Sequence, residues 1–298
     1  MITTRTVLVL GAGASKPYGL PLGSELRDEV LRAAQNVAYK LHLRRYGLSK
    51  TDFEKFAEDL ATSGFSSVDA FLEQRPEWTN IGKLAMALSL LSSEYGAIRR
   101  LFPPHQPKDH WYEVLWSYLK ASSWQSFKKQ PLSIVTFNYD RSLEHYLVQI
   151  MCNNYSVKPH SAVAGLPILH VHGTLGAYDP SKLGRVVDDG MPGEAARSIR
   201  VVHEADVEQS EFVRARQLIG AADRVLFIGF GYLDTNMRKL GYGQKADSVS
   251  GDPVIIAGTH KGFKSRAWEG VCHRYKFSAA ARTHGGGSMS EFVADWLS

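Results

Sequence analysis

The sequence predicts an α/β protein: a doubly wound parallel sheet with a mainly helical insertion between its first two motif-bearing strands. Three observations point to it. Apolar runs of strand type at 6–10, 132–137 and 166–171 each end in a glycine-rich or polar motif. The stretch 24–130 follows helical spacing instead, and a later buried run, Val225 to Ile228, opens into a second glycine turn. Polar groups at strand ends then converge where open α/β sheets bind ligands.

Thr6 to Leu10 is a buried strand feeding Gly11-Ala12-Gly13-Ala14-Ser15. Ser24 is placed to cap a helix, because Leu26, Val30, Leu31, Ala34, Val37 and Leu41 follow at helical spacing. Val68, Phe71 and Leu72 mark a short helix, and Ile81 to Leu101 a longer one carrying Leu84, Leu88, Leu91, Tyr95 and Ile98. Asp109 is a candidate cap for a segment with Trp111, Leu115, Tyr118 and Leu119 on one face. Pro103, Pro104 and Pro107 break the helices, and Pro131 marks the entry to the second strand. A helix carrying Leu143 and Leu147 follows it. After His172 a loop-rich stretch runs to about Ala205, with turn signals at Asp188-Asp189-Gly190 and Met191-Pro192-Gly193. Helical spacing returns at Phe212 to Ile219, the last strand is Val254 to Ala257, and Gly285-Gly286-Gly287 is a turn before a final short helix.

The 298 residues are 44% hydrophobic and 22% charged, enough for a substantial core and consistent with one domain over 1–298 bearing the 24–130 layer. A net charge of +5 suits an anionic ligand but falls short of a nucleic-acid surface. Cys152 and Cys272 form no CxxC pair, so neither a disulfide framework nor a zinc site is read from them. The start has no signal pattern and no apolar stretch approaches the ~20 residues of a membrane span, so a cytoplasmic protein is expected.

Gly11-Ala12-Gly13 after a strand permits a tight turn and close approach to a pyrophosphate, although Lys16 stands where the dehydrogenase fingerprint has its third glycine. Thr136-Phe137-Asn138-Tyr139-Asp140 supplies either helix-capping groups or catalytic ones. His170 and His172 alternate on a strand and so share a face; a metal pair would need further ligands that the sequence does not supply. Gly229 and Gly231 serve equally as a βα turn or as a ligand wall, and Asp234 as a helix cap or a ribose contact.

In order, these motifs resemble the sirtuin superfamily: Gly11-Ala12-Gly13-Ala14-Ser15 with Gly19-Leu20-Pro21 after it, Asn138-x-Asp140, His172-Gly173, and the glycine turn at Gly229. The resemblance implies a Rossmann-like core that uses NAD. It covers most of the core strands but not residues 24–130. Protein-deacylating sirtuins carry two Cys-pair motifs for zinc after the His-Gly motif, whereas only Cys272 follows it here. Residues 16–135 also place 120 residues between the first two motifs, where deacylases carry a shorter module. Both departures look like the zinc-free, NAD-hydrolysing sirtuin-like domains of bacterial antiviral systems.

The resemblance therefore implies a regulated NAD glycohydrolase with no metal. Asn138 would orient the nicotinamide ribose and the attacking water, Asp140 would contact the carboxamide or order the pocket, and His172 would bind ribose hydroxyls or take a proton. Gly11, Ala12, Gly13 and Ser15 would approach the phosphates, with Pro21, Gly173, Gly229, Gly231 and Asp234 completing the cofactor site. An NAD or ADP-ribose sensor without turnover and a zinc-free lysine deacylase remain open, as does the choice between NAD and NADP. Because unrestrained NAD hydrolysis would deplete the cell, a gate is expected. Residues 24–130, rich in aromatics (Phe53, Phe56, Phe65, Phe71, Trp78, Trp111, Trp116, Trp124), are the candidate surface for homo-oligomerisation or a regulatory partner, or else simply core.

Overall fold

In the computed structural model, which describes residues 1–36, 44–183, 190–201, 211–243, 255–278 and 287–298, five strands form one parallel sheet. They are β1 (Thr6–Leu10), β2 (Leu132–Thr136), β3 (Ile168–His170), β4 (Arg224–Ile228) and β5 (Ile255–Gly258), in the order β3-β2-β1-β4-β5. The chain winds outward from β1 to one edge through β2 and β3, then resumes beside β1 with β4. That reversal is a topological switch point, where the strand ends open a crevice. Register completes the placement: Leu10 lies opposite both Thr136 and Ile228, and Thr136 opposite His170, so the segments that follow four strands emerge side by side. The fold is Rossmann-like, and β1 is buried along its whole length, as parallel strands covered on both faces are.

A one-turn helix α1 (Ala12–Ser15) follows β1, and the helical insertion then precedes β2. It comprises α2 (Gly23–Ala33), α3 (Lys50–Thr62), α4 (Val68–Gln74), α5 (Thr79–Ile98), α6 (Trp111–Leu119) and α7 (Trp124–Lys128). After β2 come α8 (Ser142–Tyr155) and α9 (Pro159–Ala164); α10 (Met191–Ser198) and α11 (Glu211–Gly220) lie between β3 and β4; α12 (Asp234–Lys239) follows β4; α13 (Ser265–Arg274) and α14 (Met289–Leu297) follow β5.

Several helix starts differ from the sequence reading, each for a local reason. Helix α2 begins one residue before Ser24, because the Glu25 carboxylate reaches back to the Leu22 amide (2.8 Å) and does the capping itself. Asp109 does not cap α6; its two carboxylate oxygens take the Met289 and Ser290 amides at 2.9 Å each, and so start α14 from the other end of the chain. Met191-Pro192-Gly193 is the first turn of α10 and not a loop, since proline needs no amide partner there. The expected roles of Val37, Leu41, Asp188, Asp189, Ala205, Val254, Gly285 and Gly286 lie outside the described residues.

Two hydrophobic clusters result. One surrounds the sheet, with Leu8, Val9, Ile134 and Leu226 joined by Trp111 and Tyr112 of α6. The other is centred in the insertion, around Phe53, Phe56, Leu60, Phe71, Leu72 and Ala85, and takes in Tyr139, Leu175, Ala195 and Ile199 from beyond β2 and β3. Of the aromatics considered for docking, Phe53, Phe56, Phe71 and Trp111 are fully buried, and Phe65, Trp78, Trp116 and Trp124 are half-buried. The insertion thus spends these rings on internal packing, and the large hydrophobics exposed among the described residues are Met1 and Leu233. Among the described residues no helix is long and apolar enough to cross a membrane.

Candidate active site at the strand ends

The two glycine turns touch backbone to backbone. Gly13 N donates to Gly229 O (2.9 Å) and Gly11 N to Ile228 O (3.1 Å). Gly229 has φ +59°, and a Cβ there would lie 2.0 Å from Ala14 N; one on Gly11 or Gly13 would lie within 2.7 Å of Gly229 O. Close turn packing is therefore sufficient reason for these three glycines, independent of any phosphate. The amides of Gly11, Gly13 and Ala14 already donate inside the protein. Ala12 begins the short helix, where an amide has no intrahelical acceptor.

Beside these turns is a cavity of about 420 Å³, within the range of small-molecule sites. Its floor comes from the strand ends: Gly11, Ala12, Gly13 and Ser15; Phe137 to Asp140; His172; and Gly229, Phe230 and Gly231. Its roof is the insertion, through Pro21, Leu26, Phe65, Leu90 and the α4 residues Asp69 and Glu73. Ten of the twelve site residues expected from the sequence line this one space. Gly173 and Asp234 do not. Gly173 (φ +76°) turns the chain into a bridge with Ile199, and the Asp234 carboxylate pairs with Arg274 and receives the Tyr275 hydroxyl.

Asn138 is oriented by its neighbours. Its Nδ2 donates to Gly11 O and Ser15 Oγ, both at 3.0 Å. A main-chain carbonyl only accepts, so the amide cannot be flipped without losing that bond, and Oδ1 is left as an acceptor at the cavity. Ser15 Oγ in turn donates to Asp140 Oδ2 (2.9 Å). Asp140 also accepts from the Ser142 amide (3.1 Å) and the Ser142 hydroxyl. Burial outweighs these bonds and raises the Asp140 carboxyl to a pKa of about 6.

The two histidines part company beyond β3. His170 Nε2 pairs with Glu144 of α8, while its Nδ1 bonds the Asn138 carbonyl at 2.8 Å. Burial opposes an imidazolium at His170, but Glu144 outweighs it and the pKa is raised. His172 faces the cavity, packed against Phe137, Tyr139 and Phe212. Its Nδ1 lies 3.3 Å from Arg200 O, so Nδ1 carries the proton and Nε2 the lone pair. Burial, reinforced by Lys239, lowers its pKa to about 4. Among the described residues no group of three or more His, Cys, Asp or Glu is placed to hold a metal ion.

The sequence reading reached the roof only at Pro21 and missed its acidic residues. Tyr139 OH donates to Asp69 Oδ1, whose carboxyl is raised by burial, and Glu73 Oε1 meets Lys239 Nζ at 2.6 Å. In sequence, Asp69 and Glu73 are the polar positions of an ordinary amphipathic helix, and only its packing turns them to the cavity. No protein-family model matches the chain, and no curated protein matches it either.

Proposed function

We propose that the chain is an NAD glycohydrolase, converting NAD and water to nicotinamide, ADP-ribose and a proton, and that it serves as a regulated effector in bacterial antiphage defence. The observation that carries the chemistry is the pair of acceptors facing one cavity, Asn138 Oδ1 and neutral His172 Nε2. In this reaction the C1′–N bond breaks with its electron pair leaving on nicotinamide. The oxocarbenium-like ribose is then taken by water, whose proton must go to a base. Asn138 Oδ1 orients the ribose hydroxyls or that water, and His172 Nε2 receives the proton. Asp140, through Ser15, holds Asn138 in place.

A Rossmann-like crevice at the switch point suits a dinucleotide, and the apolar roof residues Leu26, Phe65 and Leu90 limit bulk water, as oxocarbenium chemistry requires. The two departures from the deacylase pattern, the missing Cys pairs after the His-Gly motif and the 120 residues between the first two motifs, favour hydrolysis over deacylation. The chain is expected to act in the cytoplasm. Control by self-association or a partner remains part of the proposal, although it draws no support from the inward-turned aromatics of the insertion.

The test is product analysis. Purified protein given NAD, alone and with the product of a neighbouring gene, should release nicotinamide and ADP-ribose in equal amounts without any acyl-lysine peptide. Asn138→Ala and His172→Ala should each lower turnover by ~100-fold or more in folded protein. Binding of NAD with no product under either condition would make the site a sensor, and turnover strictly dependent on acetylated peptide would make it a deacylase.

A further inference from the structure

Lys239 is a buried cation that packing alone does not explain. Its side chain is 2% exposed, yet it ends α12, where an exposed lysine would serve the helix terminus equally well. Taking an ammonium out of water costs several kcal/mol, and an apolar side chain of similar length would fill the same space at no such cost. The ammonium is fixed from two sides: Glu73 Oε1 at 2.6 Å, and the face of Phe212 at 5.9 Å. Phe212 sets its ring edge-on to His172, with centroids 5.4 Å apart. The pair thus joins the roof helix α4 to α12 and sits across one aromatic ring from the cavity's histidine.

The carboxyl groups on this cavity have no basic neighbour in its lining. Asp69, Glu73 and Asp140 line it, and its described lining residues include no Lys or Arg. Facing His172 are Lys239 from α12, Glu73 from α4, the Arg200 carbonyl, the rings of Phe137, Tyr139 and Phe212, and, through Tyr139, Asp69. Without a cation the acidic members of this set raise the proton affinity of His172 against the burial that lowers it, and a bound pyrophosphate would raise it further. A protonated His172 has no lone pair to offer.

We propose that Lys239, clamped by Glu73, is a positioning residue for His172: its ammonium across Phe212 adds to burial in favouring the uncharged imidazole, the form whose Nε2 accepts a proton. This rests on the proposed use of His172 as the proton acceptor, but its test does not need turnover. The experiment is a titration of the His172 imidazole by NMR on the full chain with isotope-labelled histidine, the resonance being assigned with His172→Gln. Wild type, Lys239→Met, Lys239→Arg and the double variant Glu73→Gln/Lys239→Met are compared.

Lys239→Met should raise the His172 midpoint by about one unit, a tenfold rise in the charged-to-neutral ratio at pH 5. Lys239→Arg, which keeps the charge, should stay near wild type. The double variant removes both charges, avoids stranding Glu73, and should move upward by less than the single one. Where the wild type releases nicotinamide, the lower limb of its rate, near pH 4 and distinct from the one Asp140 sets near pH 6, should move with the midpoint. An unmoved midpoint in folded Lys239→Met, or in the double variant if the single does not fold, would overturn the proposal, as would Lys239→Arg shifting as far as Lys239→Met. Absence of NAD cleavage by the wild type refutes the hydrolase reading and leaves the titration result standing.

Discussion

Replacing Asp140 by Asn should change the pH dependence of stability in a calculable way. Asp140 is 7% exposed, and its pKa rises from the ordinary 3.8 to about 6, with burial as the main cause. A carboxyl whose folded pKa is raised holds its proton more tightly folded than unfolded. Its stabilising contribution is therefore complete below 3.8 and is lost as pH rises through 6. The gap corresponds to about 3 kcal/mol in all, of which about 1.4 kcal/mol disappears between pH 5 and pH 8. Asn cannot ionise and carries no such dependence. With an unfolding entropy of ~2.1 cal/mol/K per residue, 1.4 kcal/mol moves Tm by about 2 °C in a chain of 298 residues. Calorimetry at both pH values should show the Asn variant gaining about 2 °C on the wild type from pH 5 to pH 8, other titrations cancelling in the difference. NAD cleavage by the wild type should also fall off below about pH 6, and that limb should be absent from whatever activity the variant keeps. A Tm difference that is the same at both pH values would refute the assignment of a burial-raised carboxyl.

Gly229→Ala should destabilise by ~2–5 kcal/mol, because a left-handed φ and a 2.0 Å approach to Ala14 N compound each other, whereas Gly231→Ala, with open space around its Cβ, should stay within ~0.5 kcal/mol; thermal melts compare them directly. Ser15→Ala should remove the link between Asn138 and Asp140 and lower NAD turnover by ~10-fold or more with little change in Tm; unaltered kcat would show that Asn138 is held by Gly11 O alone. His170, with its pKa raised by Glu144, contributes stability that is present below about 6.5 and lost as pH rises through its folded value. Wild type should therefore exceed Glu144→Gln in Tm most clearly at pH 6, with the margin narrowing toward alkaline pH; a constant margin would mean the pair is not titrating.

The strand ends were legible because their chemistry is local. A five-residue run such as Thr6 to Leu10, apolar after its first residue, is a buried strand or a piece of buried helix, and glycine or a small polar side chain immediately after it favours the strand. Parallel register then did the assembly, placing Gly11, Asn138, His172 and Gly229 together without further information. Caps were less legible, because a carboxylate does not reveal whose amides it will take: Asp109 stands next to α6 in sequence and serves α14, about 180 residues later. Of the roof, only Pro21 was legible. Val68, Phe71 and Leu72 marked α4 correctly, but the face bearing Asp69 and Glu73 has the same composition as a solvated one. Lys239, in the last turn of α12, likewise looks like an ordinary response to the helix dipole.

That division has a physical consequence for how the site works. Asn138 is held by short-range bonds to the first glycine turn, at Gly11 and Ser15, whereas His172 bonds Arg200, just beyond α10. The geometry of Asn138 is therefore set by the Rossmann-like core. The acidic groups around His172, those of Asp69 and Glu73, arrive from a helix packed in the separate hydrophobic cluster of the insertion, and cross to the core through Tyr139 and Lys239. Any displacement of α4 relative to the sheet must break these two buried contacts, and breaking a buried ion pair typically costs ~3–5 kcal/mol. Such a displacement alters the field at His172 and leaves the bonds of Asn138 intact, whereas α5 and α6 are tied beside Asn138 itself, through Glu94 to Arg141 and through Trp111 to the Ala14 carbonyl. The bonds of Asn138 and the charges around His172 thus sit on different parts of the chain, so a shift of α4 changes the proton affinity of His172 without touching the glycine turns.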